Sequence, residues 1–149
     1  MKNTSFDEIE QRALNRVLDF DIPSMSGEVS NTLLDSYLES AETYIAEVYE
    51  EIDFSKDAGN RTYTQKLEPI VVEMLTVGLL YFWMLPKLLN TQQLKNNLST
   101  SEFNLYSPAN LLKQLQSITD MLQGQFEALV IDYGYRHGVD GSTIADLKV

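Results

Sequence analysis

Carboxylates dominate the residues of this chain that could do chemistry. Its 149 residues hold 22 acids, 11 bases, one histidine and no cysteine, for a formal net charge of -11. Thiol catalysis, disulfides and thiolate metal sites are therefore excluded. A catalytic site would have to be built from carboxylates with split pKa values or around the single His137.

The spacing of these groups matches no catalytic or metal-binding motif. Segments 19–24 and 53–64 are rich in acids, but the first has Pro23 and Ser24 where a calcium loop needs a third oxygen ligand and Gly, and the second has Thr64 in place of the bidentate Glu. His137 suits a helix C-terminus, where a cation is favoured. The chain contains no Walker loop and no GxGxxG turn. We therefore predict no catalytic residue, no metal and no cofactor.

The acids are concentrated in the first part of the chain. Residues 1–60 hold 14 acids and 4 bases, whereas residues 61–149 hold 8 acids and 7 bases. No Lys or Arg occurs between Asp19 and Asp53. Such a surface repels phosphate, so gripping of nucleic acid is disfavoured, and binding to anionic membranes is disfavoured for the same reason.

Two amphipathic helices are predicted in this acidic part. The first begins at the capping box from Ser5 to Glu8 and ends by Asp21, before Pro23. The second runs from Glu28 to about Ile52, with a broad apolar stripe and an opposite acidic side. That side is either a solvated face or a functional surface, and the sequence leaves both interpretations open. A loop or small hairpin around Asn60 follows.

The remainder of the chain predicts a central apolar helix and a long C-terminal helix. The apolar helix begins near Pro69 and is ended or kinked by Pro86, with a short helix from Thr91 after it. Its apolar run is too short to span a membrane and carries Glu73, so we expect a core helix in which that acid points outward or meets a base. The long helix begins at Ser107-Pro108 and ends near His137, before Gly138.

The predicted fold is therefore all-α, a small bundle of about four main helices with an extended tail. Residues 1–138 form a single helical domain with an acidic part, 1–60, and an apolar part, 61–138. Residues 139–149 form the tail, which carries Ile144, Leu147 and Val149. These apolar residues either fold back on their own bundle or dock on another subunit, and both alternatives stay open.

Residues 20–90 resemble the head–tail connector (adaptor, or head-completion) proteins of tailed bacteriophages. In that family an aspartate-x-proline phrase often precedes the acidic helix, as Asp21-Ile22-Pro23 does here, and an alanine-x-x-tyrosine-isoleucine phrase follows, as at 41–45. The next helix tends to close on aromatics, as Tyr81 to Trp83 do. An acid-arginine pair often ends that helix in the family, whereas Pro86-Lys87 stands here.

The resemblance implies a structural virion protein and not an enzyme. It implies a homo-oligomeric ring, commonly of twelve copies, in the neck of the virion, between the portal and the tail-side neck proteins. The chain would be made in the bacterial host cytoplasm, and DNA would pass through the ring without sequence-specific binding. The acids predicted to face the channel or a partner are Glu28, Asp35, Glu39 and Glu42. The tail residues Ile144, Leu147 and Val149 would make the subunit interface.

A second class of protein is compatible with the same acidic helix. A free-standing acidic interaction protein could present these carboxylates as a mimic of DNA charge and occupy a nucleic-acid-binding partner. Such a mimic needs neither an oligomer nor an apolar tail. An enzyme is a third alternative, and it would need a pocket with perturbed carboxylates.

Overall fold

The fold is an all-α bundle, as predicted. In a computed structural model of the protein, the residues described are 2–20, 30–101, 103 and 110–138. The elements in chain order are α1 (Phe6–Val17), a 3₁₀ turn (Leu18–Phe20), α2 (Asn31–Val48), β1 (Lys56–Asp57), β2 (Thr62–Tyr63), α3 (Pro69–Asn97) and α4 (Leu111–Arg136). All four helices contribute to one hydrophobic core.

Side-chain caps set the starts of the first two helices. The Ser5 hydroxyl accepts a hydrogen bond from the Glu8 amide at 3.1 Å, which confirms the predicted cap of α1. Ser30 caps α2 by accepting from the Leu33 amide at 3.2 Å. Within the described residues α2 ends at Val48, four residues before the predicted end, although the next residue, Tyr49, is still buried.

The loop around Asn60 forms the small hairpin. β1 and β2 pair antiparallel through Lys56–Tyr63 and Asp57–Thr62, and the turn between them places Arg61 in the left-handed region with φ 53°. The N-terminal segment adds to the hairpin, since the Thr4 carbonyl accepts from the Tyr63 amide at 2.8 Å and the Phe6 amide donates to the Arg61 carbonyl at 2.9 Å. These bonds hold the hairpin against the start of α1.

Helix α3 is the central element and contacts α1, α2 and α4. It is long and apolar enough to span a membrane by length and composition, but most of its apolar stretch is buried inside the bundle, which is also what a core helix shows. Of the two outcomes predicted at Pro86, an end or a kink, the end is excluded because α3 continues to Asn97, and the separate helix predicted from Thr91 is wrong for the same reason. Pro86 is exposed, so its missing backbone bond faces solvent, and the next turn is anchored by the buried Leu88.

Helices α2 and α4 both approach α3 closely at Gly78. A Cβ atom at Gly78 of α3 would lie 2.8 Å from the Ala41 Cβ of α2 and 3.0 Å from the Phe126 ring of α4, so glycine is needed for this approach. Helix α4 ends at Arg136, and Gly138 follows with φ 67°, as predicted for a C-terminal glycine. The predicted start at Ser107-Pro108 lies outside the described residues.

Candidate functional site

A partly buried network of charged side chains joins the hairpin to α1 and α2. The left-handed backbone at Arg61 directs its guanidinium between the two helices. One terminal nitrogen lies 2.6 Å from Asp35 and 3.0 Å from Glu10, and the other lies 2.6 Å from Asp7. One arginine therefore meets carboxylates from two helices, and its planar fork of donors suits this role better than a lysine would.

The two inner carboxyls of this network titrate differently. Burial, with a hydrogen bond to Asp35, raises the pKa of Glu10 to about 8 despite the nearby Arg61. Partial burial opposes ionisation of Asp35, but hydrogen bonds from Arg61 and Glu10 outweigh it and lower the pKa of Asp35. At neutral pH, protonated Glu10 can thus donate to ionised Asp35.

A second ion pair lies on the next turns of α2. Lys56 of β1 contacts one oxygen of Glu42, and the Tyr63 hydroxyl donates to the other oxygen at 2.7 Å. Glu42 is 6% exposed and Tyr63 is fully buried. Burial and the adjacent Glu42 raise the pKa of Tyr63, so it remains a neutral hydrogen-bond donor. This pair fixes the hairpin to α2.

The structure therefore corrects the predicted acidic face. Asp35 and Glu42 do not lie on a solvated side without partners, because Arg61 and Lys56 from the hairpin neutralise them. Glu39 is exposed on α2, and Glu28 lies outside the described residues. The absence of bases between Asp19 and Asp53 hid these partners, since the hairpin brings them back from later in the chain.

Exposed acids without an ion pair lie on α2 and the turn after it. Within the described residues no ion pair reaches the following side chains of this region: Glu39, Glu47, Glu50 and Glu51. All four residues are exposed. Elsewhere in the described chain the same is true of the following acids: Glu8, Asp19, Asp53, Asp57, Asp120 and Glu127. The last turn of α2 contains no base, so Glu47, Glu50 and Glu51 lie where the helix dipole is also negative.

Two other titratable groups have structural partners. Arg16 donates to both oxygens of Glu73 at 2.5 and 2.8 Å, so the acid of α3 is paired with a base of α1, one of the two predicted arrangements. His137 contacts the Tyr133 carbonyl at 2.9 Å and Glu68 at 3.0 Å, and its ring stacks on that of Tyr133. The hydrogen bond with the Tyr133 carbonyl raises the pKa of His137, and Glu68 adds to this effect.

A groove of about 660 Å³ lies between α1, α3 and α4. Its floor is apolar, with Val77, Leu80 and Leu122, and the Arg16–Glu73 pair lies at its side. Among the described residues no three or more carboxylates or histidines are placed to hold a metal ion. In the charge network, Arg61 occupies the position between carboxylates that a cation would take. The tail residues Ile144, Leu147 and Val149 lie outside the described part of the chain.

The charge network was missed in the sequence, although a signal was present. Glu10 falls on the buried stripe of α1 between Ile9 and Ala13, and Glu42 falls on the stripe of α2 beside Ala41. An acid on an apolar stripe needs a buried partner, because an unpaired charge in a core is very costly. The stripes therefore indicated two buried carboxyls that need polar partners, but not which residues supply them.

Comparison of the chain with protein-family models, with curated proteins and with solved structures finds no match.

Proposed function

We propose that the protein is a structural subunit of a tailed-phage neck that forms a ring between the portal and the tail. The observation that carries this proposal is the set of exposed acids on α2 that have no partner within the described chain. The bases of the hairpin are engaged with buried carboxylates, so they do not offset this outer charge.

The proposal assigns a physical task to that charge. Carboxylates at the wall of a channel repel the phosphate backbone and let a duplex slide without being gripped. Glu39, in the middle of α2, takes the channel-facing role that was predicted for four acids. Asp35 and Glu42 have a structural role in this account.

The tail residues 139–149 complete the proposal. Ile144, Leu147 and Val149 would be the apolar side of a strap that orders on a neighbouring subunit or on the portal during assembly. Their apolar side chains need a surface to cover them, and an eleven-residue segment cannot build a core of its own.

Mass in solution tests this function, measured for the full chain alone and with a candidate portal protein. We expect a large oligomer that appears as a ring in electron micrographs. A monomer that competes with DNA for a basic protein would contradict the connector and favour the acidic mimic.

A further inference from the structure

A recess with an excess of positive charge lies on this acidic protein. It has a volume of about 450 Å³ and forms where residues 2–5, the first turns of α1 and the start of α3 meet. Three bases and one acid line it: Lys2, Arg12, Lys66 and Glu8. We call this cavity, with its three bases, the basic recess. Its charge is opposite in sign to that of the molecule as a whole.

Two of the three bases of this recess, Lys2 and Lys66, are available to a partner. Within the described residues no ion pair involves Lys2 or Lys66, and both are exposed. Arg12 lies 3.5 Å from Glu73, a carboxylate that Arg16 already binds more closely. The recess also borders the N-terminus of α3, where the N-cap residue Glu68 makes no side-chain capping bond and contacts His137 instead. The helix dipole places positive potential at this end of α3.

A complementary surface exists on the same chain. Glu47, Glu50 and Glu51 form what we call the acidic end of α2, which is exposed and carries negative charge at the negative end of the helix dipole. The three carboxylates repel one another and the negative end of the helix dipole, and bases placed against them would offset this repulsion. Within the described chain no ion pair supplies them.

We propose that the basic recess of one copy receives the acidic end of α2 of a second copy. The two patches lie on different elements, so this contact is heterologous, and repetition of a heterologous contact closes a ring if the rotation allows it. The inference rests on the proposed ring and names the contact that builds it. In this arrangement the acidic end of α2 lies in the contact between subunits, and Glu39 lies at the channel wall.

A charge swap in the full chain tests this contact. The variants are Lys2→Glu/Lys66→Glu, which reverses the recess, and Glu50→Lys/Glu51→Lys, which reverses the acidic end. We expect wild-type chains to associate in low salt, and each variant alone to raise the dissociation constant at least about tenfold. An equimolar mixture of the two variants should associate again, because every reversed surface then meets its complement. Sedimentation equilibrium measures all four samples.

Matched controls separate this contact from effects of net charge or folding. Lys95→Glu/Lys113→Glu and Asp120→Lys/Glu127→Lys change the net charge as much as the two reversals do, at exposed residues that make no ion pair with a described residue. They should leave association unchanged. Circular dichroism should be identical for all variants, because every substituted side chain is exposed.

Each other outcome overturns the contact. If the reversed variants associate as the wild type does, or if their mixture stays monomeric, the recess is not the receptor. Rings that persist in electron micrographs of the reversed variants would contradict this contact but not the proposed function. A wild-type chain that is monomeric at every concentration, alone and with portal protein, would overturn both.

Discussion

Arg61 connects three segments that lie far apart in the sequence. Its guanidinium reaches Asp7, Glu10 and Asp35, and its own backbone carbonyl accepts from the Phe6 amide. Hydrogen bonds to Asp35 raise the pKa of Arg61, so its charge is constant over any practical pH range. The residue therefore acts as a permanent cation in the carboxylate network.

Replacing this cation by an apolar side chain should be strongly destabilising. Arg61→Met leaves the buried Glu10 and the partly buried, ionised Asp35 without their cation, and we expect the free energy of unfolding to fall by about 2–3 kcal/mol. Urea denaturation followed by circular dichroism measures the change. Arg136→Met is the control, because that residue makes an exposed pair with Asp132 and should cost less than about 0.5 kcal/mol. Equal effects of the two substitutions would refute the role of Arg61.

Glu10 should make the stability depend on pH. Its pKa of about 8 in the folded state is above its value of 4.5 in the unfolded chain, so the folded protein binds more protons between these values. Stability is then greatest below the unfolded value and falls as pH rises toward 8, by up to about 1.4 kcal/mol per pH unit. Denaturation between pH 5 and about 8.5 should show this slope in the wild type and a reduced slope in Glu10→Gln.

The control for this prediction is Glu39→Gln, which removes an exposed carboxyl from α2 and should keep the wild-type slope. His137 also has a raised pKa, which gives a slope of the same sign, but neither substitution affects it. Identical pH profiles for the wild type and Glu10→Gln would show that Glu10 does not carry the extra proton.

The sequence indicated one of the ion pairs, that of Glu73, but it did not indicate the network around Arg61. Glu73, the single charge in the apolar run of α3, required either a basic partner or exposure to solvent, and Arg16 is that partner. Arg61 could not be assigned in the same way. Its position depends on a hairpin turn and on chain segments 26 to 54 residues away, and residue spacing carries no information on such contacts.

At the scale of the elements, local signals predicted some boundaries and missed others. The cap at Ser5 and the terminal glycine at 138 depend on a few neighbouring residues, and both were confirmed. The start of α2 expected at Glu28 was wrong, because Ser30 caps a helix that begins at Asn31. Of the two outcomes expected at Pro86, an end or a kink, the end is excluded because α3 continues through it and Leu88 of the next turn is buried. Tertiary packing decided that boundary.

The contact of α2 with α3 should be sensitive to a single methyl group. Gly78→Ala places a Cβ atom 2.8 Å from the Ala41 Cβ, and we expect a loss of about 1–3 kcal/mol in unfolding free energy despite the better helix propensity of alanine. Gly124→Ala is the matched control, since nothing lies within 4 Å of the added atom. It should stabilise α4 by roughly 0.5–1 kcal/mol. Thermal or urea unfolding compares the two, and a stabilising Gly78→Ala would contradict the close approach.

At the scale of the whole molecule, those of the 22 acids that the structure describes divide into two groups. One group is paired with bases, among them Arg61, Lys56 and Arg16. The other group is exposed without an ion pair to a described residue, and it includes Glu39, Glu47, Glu50 and Glu51 on α2 and the turn after it. Composition predicted the total and its concentration in residues 1–60, but only the fold separates the charges that stabilise from those that face outward.

Removal of the tail tests the proposed strap at this scale. A chain ending at Gly138 should keep the helical circular dichroism of the full chain and lose most of its assembly, because the apolar residues 144, 147 and 149 are gone. Light scattering at matched concentrations measures the mass. Assembly that survives the deletion would remove the strap and leave the basic recess as the contact to examine.

The most direct measurement of the central claim is the mass and shape of the full chain in solution. Mass photometry with electron micrographs, alone and with a candidate portal protein, should reveal closed rings of identical subunits. A protein that stays monomeric under both conditions would contradict the connector.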